Sequence, residues 1–313
     1  MTRKDEEDAL ELTRKRLKLP KSEEDTTPQV QISYSRLKTF MSCPFLHYLR
    51  YIKKVKLPHR TDALVFGSAF HGVMEGYNTF LVYSEDREKS SKYFLKEILK
   101  ELAEDLTLAA LDNAEFAPEV EVESLREALP GEVSDTSRRT IRHILSWNGP
   151  YPRDDKSIEM WIDGRVLTGY RGETYLLCGK IDEISQGGSI VEFKTANRRW
   201  STGRVAYEWQ PEFYLLLLDP TLRESLPVEY IIAVRSGKKS KPVQRFVTER
   251  THEDTRRLKD ILLSVAPLML SEEPVKYPVR DMHCQWCPAR ELCDEYWGFH
   301  PEDEIVREEG DGK

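Results

Sequence analysis

No apolar run in these 313 residues approaches the roughly 20 consecutive residues that a bilayer-spanning helix needs, so no membrane partner is expected. Residues 1–19 lack a continuous apolar stretch, so no secretory signal is expected and the cytoplasm is the expected compartment. A G-x₄-G-K-[ST] phosphate loop is missing, which excludes a recognisable ATP motor. A basic surplus is missing too. Lys and Arg number 47 against 54 Asp and Glu, a net charge of −7, which argues against binding nucleic acid over the whole surface. Cysteine is scarce and odd in number (Cys43, Cys178, Cys284, Cys287, Cys293), so a disulfide framework is not expected in a reducing compartment. Internal repeats are absent.

Apolar residues make up 39% of the chain and charged residues 32%, enough for a sizeable core under a well-solvated surface. Three segments are locally basic: Arg50–Arg60, Arg198–Arg204 and Arg235–Arg245. Each is either a solvated loop or a phosphate contact. Arg198, Arg199 and Arg204 are the candidate DNA contacts, because they follow directly on the chemical motif described below.

Along the chain, residues 1–28 read as a mobile charged tail and 300–313 as an acidic tail. Ser33 or Ser35 can cap a helix to Met41, which Cys43-Pro44 ends before a second short helix through Tyr51. Phe66 to Val82 has helical spacing, and a mostly helical part continues to about residue 150 with breaks near Ser84 and Pro118. Between 151 and 270 the pattern turns to strands at Met160–Leu167, Thr174–Ser185, Ser189–Thr195, Tyr230–Val234 and Val243–Thr248. A helix at Pro211–Leu218 intervenes, and another, Asp254–Leu268, puts Leu258, Ile261, Leu262 and Val265 on one core-facing stripe. Residues 271–299 form a cysteine-rich closing segment. This order predicts an α/β fold, a central mixed sheet flanked by helices, with a helical N-terminal region.

The most informative stretch is Gly179-Lys180-Ile181-Asp182-Glu183-Ile184, a Gln186-Gly187-Gly188 turn, and Val191-Glu192-Phe193-Lys194-Thr195. Two strands around a tight glycine turn predict a hairpin. Side chains alternate with a period of two, so Glu192 and Lys194 share a face. A three-residue loop pairs Ser185 with Ser189 and sets Asp182 opposite Glu192; a two-residue loop would part them. Paired carboxylates repel unless a cation lies between them, and oxygen ligands favour Mg²⁺ or Mn²⁺. Lys194 beside them suits metal-assisted phosphodiester hydrolysis, though a cross-strand salt bridge would satisfy the same three residues. His71 stands in an apolar helical run, Phe66-Gly67-Ser68-Ala69-Phe70-His71, where a core histidine is the plainer reading. Gln210 and Tyr214 have helical i, i+4 spacing, but Pro211 makes Gln210 the expected N-cap. Trp200 and Trp209 are either base-stacking or core residues.

Cys284-x₂-Cys287-x₅-Cys293 is a compact set of three thiols that calls for a fourth ligand. Cys43, before a proline between two helices, and His283 are both candidates. Cys178, in an apolar strand, reads as a small core residue. Zinc and an iron–sulfur cluster suit four thiolates equally.

Taken together, His71 in GSAFH, Asp182 in GKIDEI, Glu192-x-Lys194 in VEFKT and Gln210-x₃-Tyr214 resemble, in order and spacing, the RecB-like branch of PD-(D/E)xK nucleases. ISYSRLKTFMSCPFLHYLRY resembles the opening of those domains, and the resemblance spans roughly residues 30–297, within a unit read as 29–299. It implies a restriction-endonuclease-like core and metal-dependent DNA exonuclease activity. By that resemblance His71, Asp182, Glu192 and the backbone carbonyl of Phe193 would ligate Mg²⁺ or Mn²⁺. Lys194 would serve the attacking water, and Gln210 and Tyr214 would position DNA or catalytic groups. The motif layout is similar to AddB-type and CRISPR-associated exonucleases, which implies a [4Fe–4S] clasp on Cys43, Cys284, Cys287 and Cys293, with Zn²⁺ the alternative. DNA ends or single strands are the implied substrate, with a helicase or a recombination or adaptation protein as partner. The competing expectation is a non-catalytic adaptor that uses the fold as a scaffold.

Overall fold

A short strand, β1 (Gln31–Ile32), leads into helix α1 (Tyr34–Ser42), which starts where the Ser33 hydroxyl accepts from the Arg36 amide. Cys43 is extended and ends α1 while opening α2 (Pro44–His47), with Pro44 in the first turn where it costs no hydrogen bond. A π-helical turn, Tyr48–Ile52, carries the chain out of this pair. Four helices follow: α3 (Ala63–Val82), α4 (Arg87–Tyr93), α5 (Leu99–Asp112) and α6 (Val122–Ser146). The strands come next, β2 (Ile158–Thr168), β3 (Thr174–Ile184) and β4 (Ile190–Ala196), then α7 (Thr202–Ala206) and α8 (Gln210–Leu218). β5 (Pro227–Val234), β6 (Val243–Glu249), α9 (His252–Leu270) and α10 (Arg290–Trp297) complete the order. This computed structural model describes residues 31–169, 172–218, 226–235, 242–271 and 273–299. The expected tails at 1–28 and 300–313 lie outside the described residues, as does most of the Arg235–Arg245 loop.

The six strands make one mixed sheet in the order β1-β3-β4-β5-β6, with β2 on the remaining edge of β3. β4 and β5 run parallel, and the α7–α8 segment is the crossover between them. Helices cover both faces, as expected. On one face α3, α5 and α6 pack Phe66, Phe70, Val73 and Val133 against Val191, Phe193, Ile231 and Ala233. On the other, α8 and α9 pack Phe213, Leu217, Leu258 and Leu262 against Ile190, Tyr230 and Ile232. A Cβ at Gly179 would lie 2.5 Å from the Leu217 side chain, so this glycine is what lets α8 seat on β3. The stripe of α9 is turned slightly from expectation: Leu258 and Leu262 are buried with Leu263, Ala266 and Met269, while Ile261 and Val265 lie at its border. No helix among the described residues is long and apolar enough to cross a membrane.

Candidate active site

The β3–β4 hairpin has the three-residue loop. Glu183 pairs with Val191 and Ile184 with Ile190; the Ser185 amide donates to the Ser189 carbonyl at 2.9 Å. Gly188 supplies the positive φ of +83° that the turn needs. Beyond these pairs the strands fork: β4 continues on β5, while β3 takes β1 at Leu176 and Leu177. Asp182 and Glu192 face each other at the mouth of that fork. Asp182 reaches across it, accepting the Phe193 amide at 2.9 Å. On the opposite edge of β3, Glu159 falls in register with Asp182, between the pairs Ile158–Glu183 and Met160–Ile181. Three carboxylates therefore stand in one row across β2, β3 and β4.

His71, on α3, brings its Nδ1 to 3.4 Å from the Asp182 carboxylate. Ligand atoms of His71, Glu159 and Asp182 lie within 4.8 Å of one another, close enough for one metal ion to be held among them. Glu159 was not foreseen. Nothing marks it in the sequence, because its place opposite Asp182 depends on a β2–β3 register that shifts at Ile162/Arg165. Its φ of +50° is a strained backbone for a non-glycine residue, a feature that gathers at working sites. Lys180 pairs with it.

Glu192 occupies the other half of the site. One of its oxygens accepts from Lys194 and from the Gln210 amide at 2.9 Å, and the other accepts from the Tyr214 hydroxyl. Gln210 also reaches Tyr214 at 2.6 Å. Pro211 does not expel Gln210 from the helix: it is the first residue of α8, and the i, i+4 alignment survives. The structure thus assembles His71, Asp182, Glu192, Lys194, Gln210 and Tyr214 around one point, with Phe193 between the acids. Burial opposes ionisation of Asp182, but His71, Lys194 and the Phe193 amide outweigh it and hold that carboxyl below its usual range. Burial, and then the neighbouring Asp182 charge, push Glu192 up. Lys194 is held charged: burial disfavours its charge, and Glu192 and Asp182 more than compensate. One acid held ionised beside one whose charge is disfavoured is an arrangement that a divalent cation would stabilise. The donor set, carboxylates with one imidazole, fits a hard divalent ion.

Behind this centre lie supports. Glu208 accepts from Tyr34 and, at 2.8 Å, from Lys38, both on α1. Arg250 binds Glu212 at 2.8 Å and the Val205 carbonyl at 2.9 Å, which fixes the start of α8. Arg198, Arg199 and Arg204 stand exposed beside β4, with Arg204 over the Trp200 ring at 4.0 Å. Trp200 is buried against Tyr230 and Trp209 is partly buried in the same core, so both are packing residues. Arg235 and Arg245 are held in ion pairs with Asp62, Glu132 and Glu229, which argues against free phosphate contacts there.

Some distance along α1, Cys43, Cys284, Cys287 and Cys293 line one cavity of about 120 Å³, with Phe45, Ala289 and His283. That is well above the roughly 10–15 Å³ that a single water needs. Burial, then the other thiols, raise Cys293 to about 11, and burial raises Cys287 as well. Thiols raised in this way, Cys287 and Cys293, become thiolates only against a cationic group. Cys178 is apart from them, a buried core residue pushed up to about 11 by burial.

A family model described as the PD-(D/E)XK nuclease superfamily matches residues 31–294. No curated protein matches the chain. Among solved structures, a "Putative exonuclease" from Eubacterium rectale is similar at 13% identity, covering 93% of this chain and 96% of its own, with a TM-score of 0.49.

Proposed function

The chain belongs to the PD-(D/E)XK nuclease superfamily, whose members use divalent metals, and from that we propose that it is a Mg²⁺- or Mn²⁺-dependent DNA exonuclease of the RecB-like branch. The observation that carries this reading is the row of Glu159, Asp182 and Glu192 with His71 at one end and Lys194 at the other. An ion held by His71, Asp182, Glu192 and the Phe193 carbonyl, with Glu159 as an added acid, would polarise the phosphodiester and make water a nucleophile near neutral pH. Lys194, charged and half-buried, orients the attacking water and meets the charge that develops on the phosphate. Tyr214 and Gln210 hold Glu192 in place, so that one acid takes a fixed direction instead of swinging toward Lys194 alone. Arg198, Arg199 and Arg204 offer the phosphates a positive rim.

The second part of the proposal is a [4Fe–4S] cluster on Cys43, Cys284, Cys287 and Cys293. Four thiols on a cavity larger than one ion needs support it.

Because no phosphate-loop motor is present, a helicase or another recombination or adaptation protein would supply the frayed end. The test is degradation of end-labelled single-stranded DNA in Mn²⁺. Lys194→Ala should lose about 100-fold or more of the rate, the usual worth of one donor aimed at charge that develops in the transition state. Equal rates in wild type and variant would overturn the assigned chemistry. Circular single strands should resist; circles degraded as fast as linear strands would overturn the exonuclease reading.

A further inference from the structure

Strand β2 lies at the outer end of the acid row, and its side chains alternate between the two faces of the sheet. Met160 and Ile162 turn toward the core beneath α8 and α9, as Ile181 of β3 does. Trp161, between them, turns to the other face. Its cross-strand partner is Lys180, and Lys180 is the residue that pairs with Glu159. The indole therefore stands one step along β2 from Glu159, at a rise of about 7 Å. It is 59% exposed, and among the described residues no ring, cation or hydrogen-bond partner engages its side chain. Trp200, by contrast, is 6% exposed and lies against Tyr230. Packing accounts for Trp200 and leaves Trp161 unexplained.

Charge around the centre is unevenly shared. On the β2 side stand Glu159 and, two residues past Trp161, the exposed Asp163, while Lys180 is held by Glu159. On the far side, two strand spacings or about 10 Å away, stand Lys194 and then Arg198, Arg199 and Arg204. A phosphate chain follows the cations and avoids unneutralised acids. A nucleotide whose phosphate lies at the acid row then has one direction left for its base, toward β2.

We propose that Trp161 is a substrate-positioning residue that stacks on the base of the nucleotide whose phosphate is attacked. The flat indole tolerates any base, because every base has a π-face. A base inside a duplex has both faces covered by its stacked neighbours, so a free face confines the chemistry to single strands and frayed ends. The role rests on the nuclease reading of this centre and adds a demand to it: an exposed base, and not a phosphodiester alone.

The test is degradation in Mn²⁺, by the full chain, of an end-labelled oligothymidylate with one tetrahydrofuran abasic residue at its middle. Wild type should slow about five-fold or more at that residue, where the indole has nothing to stack on. Trp161→Ala should slow by a similar factor at every thymidine and show no further pause at the abasic residue. Trp161→Phe should restore both rate and pause. Because Trp161 is exposed, both variants should melt as wild type does. Wild type that passes the abasic residue at full speed, or Trp161→Ala that keeps the whole pause, overturns the proposal. Wild type that degrades no strand sinks the nuclease reading instead, and Trp161 is then judged by binding. Measured by anisotropy in divalent-free buffer, the preference for fluorescein-labelled oligothymidylate over a fully abasic strand should be about five-fold or more larger in wild type than in Trp161→Ala. An equal preference in the two proteins sinks the stacking.

Discussion

Glu183 lies one residue beyond Asp182 but points to the opposite face, where Asn78 of α3 donates to it at 2.7 Å. It is fully buried, and that burial pushes its carboxyl up to about 8. A folded-state pKa above the unfolded one means that the contribution to stability is full at acid pH and is lost as pH rises through about 8. Glu183→Gln keeps an acceptor for Asn78 and cannot ionise. In divalent-free buffer the wild-type melting temperature should fall more steeply between about pH 6 and about pH 9 than that of the variant. Parallel curves would show that Glu183 is already ionised at neutral pH. The same strand therefore carries one acid held ionised and one held neutral, and its alternation puts them on opposite sides. That much was legible from the period of two in GKIDEI. Their opposite charge states were not, because burial and neighbours decide them.

At the scale of elements, the start of α8 matters most, since Gln210 and Tyr214 owe their alignment to it. Arg250, just past β6, holds that start from below through Glu212 and the carbonyls of Val205 and Ala206. Both partners of the ion pair are 9% exposed in their side chains. Arg250→Met leaves Glu212 buried without its cation, a change that typically costs about 3–5 kcal/mol. The expected outcome is a lower denaturant midpoint together with loss of DNA hydrolysis, and Arg250→Lys should recover only part of each because an ammonium cannot fork between two acceptors. An unaltered midpoint would mean that α8 is seated by its apolar face alone. Nothing in the sequence pointed to Arg250. Its partners are 38 and 45 residues away, and neither period nor motif links them. The start of α1, by contrast, was readable from the Ser33/Ser35 pair, of which Ser33 is the cap, whereas α9 begins at His252, two residues before the expected Asp254, because Thr251 and Asp254 form a capping box.

For the whole molecule the issue is closure. Cys43 and the Cys284–Cys293 segment meet at one cavity, so a group bound there ties the first helices to the last. By the chain-entropy estimate for a cross-link, closing a loop of this length is worth on the order of 5 kcal/mol. Arg60 adds a thinner tie, pairing with Glu291 of α10 at 2.7 Å on the surface, where such pairs contribute little. Protein purified without air should show a broad absorbance near ~400 nm and contain iron. Cys43→Ser should lose both and melt at a lower temperature. Zinc at one equivalent without the band would overturn the cluster while leaving the nuclease chemistry in place.

What the amino-acid order determined by itself was local. Periodicity placed the helices and strands, the glycine turn predicted the hairpin and reduced its register to a choice between a two- and a three-residue loop, and the Cys-x₂-Cys-x₅-Cys spacing announced a site. These are effects of near neighbours, in which a backbone period or a short loop leaves few alternatives. What only the tertiary structure decided was which distant elements meet. Glu159 joins the acids because β2 bulges as it pairs with β3; Glu208 is held by α1; Trp286 stays in water while Trp200 is buried. Each depends on packing between segments far apart in sequence, where the same local pattern is compatible with many partners and burial chooses among them.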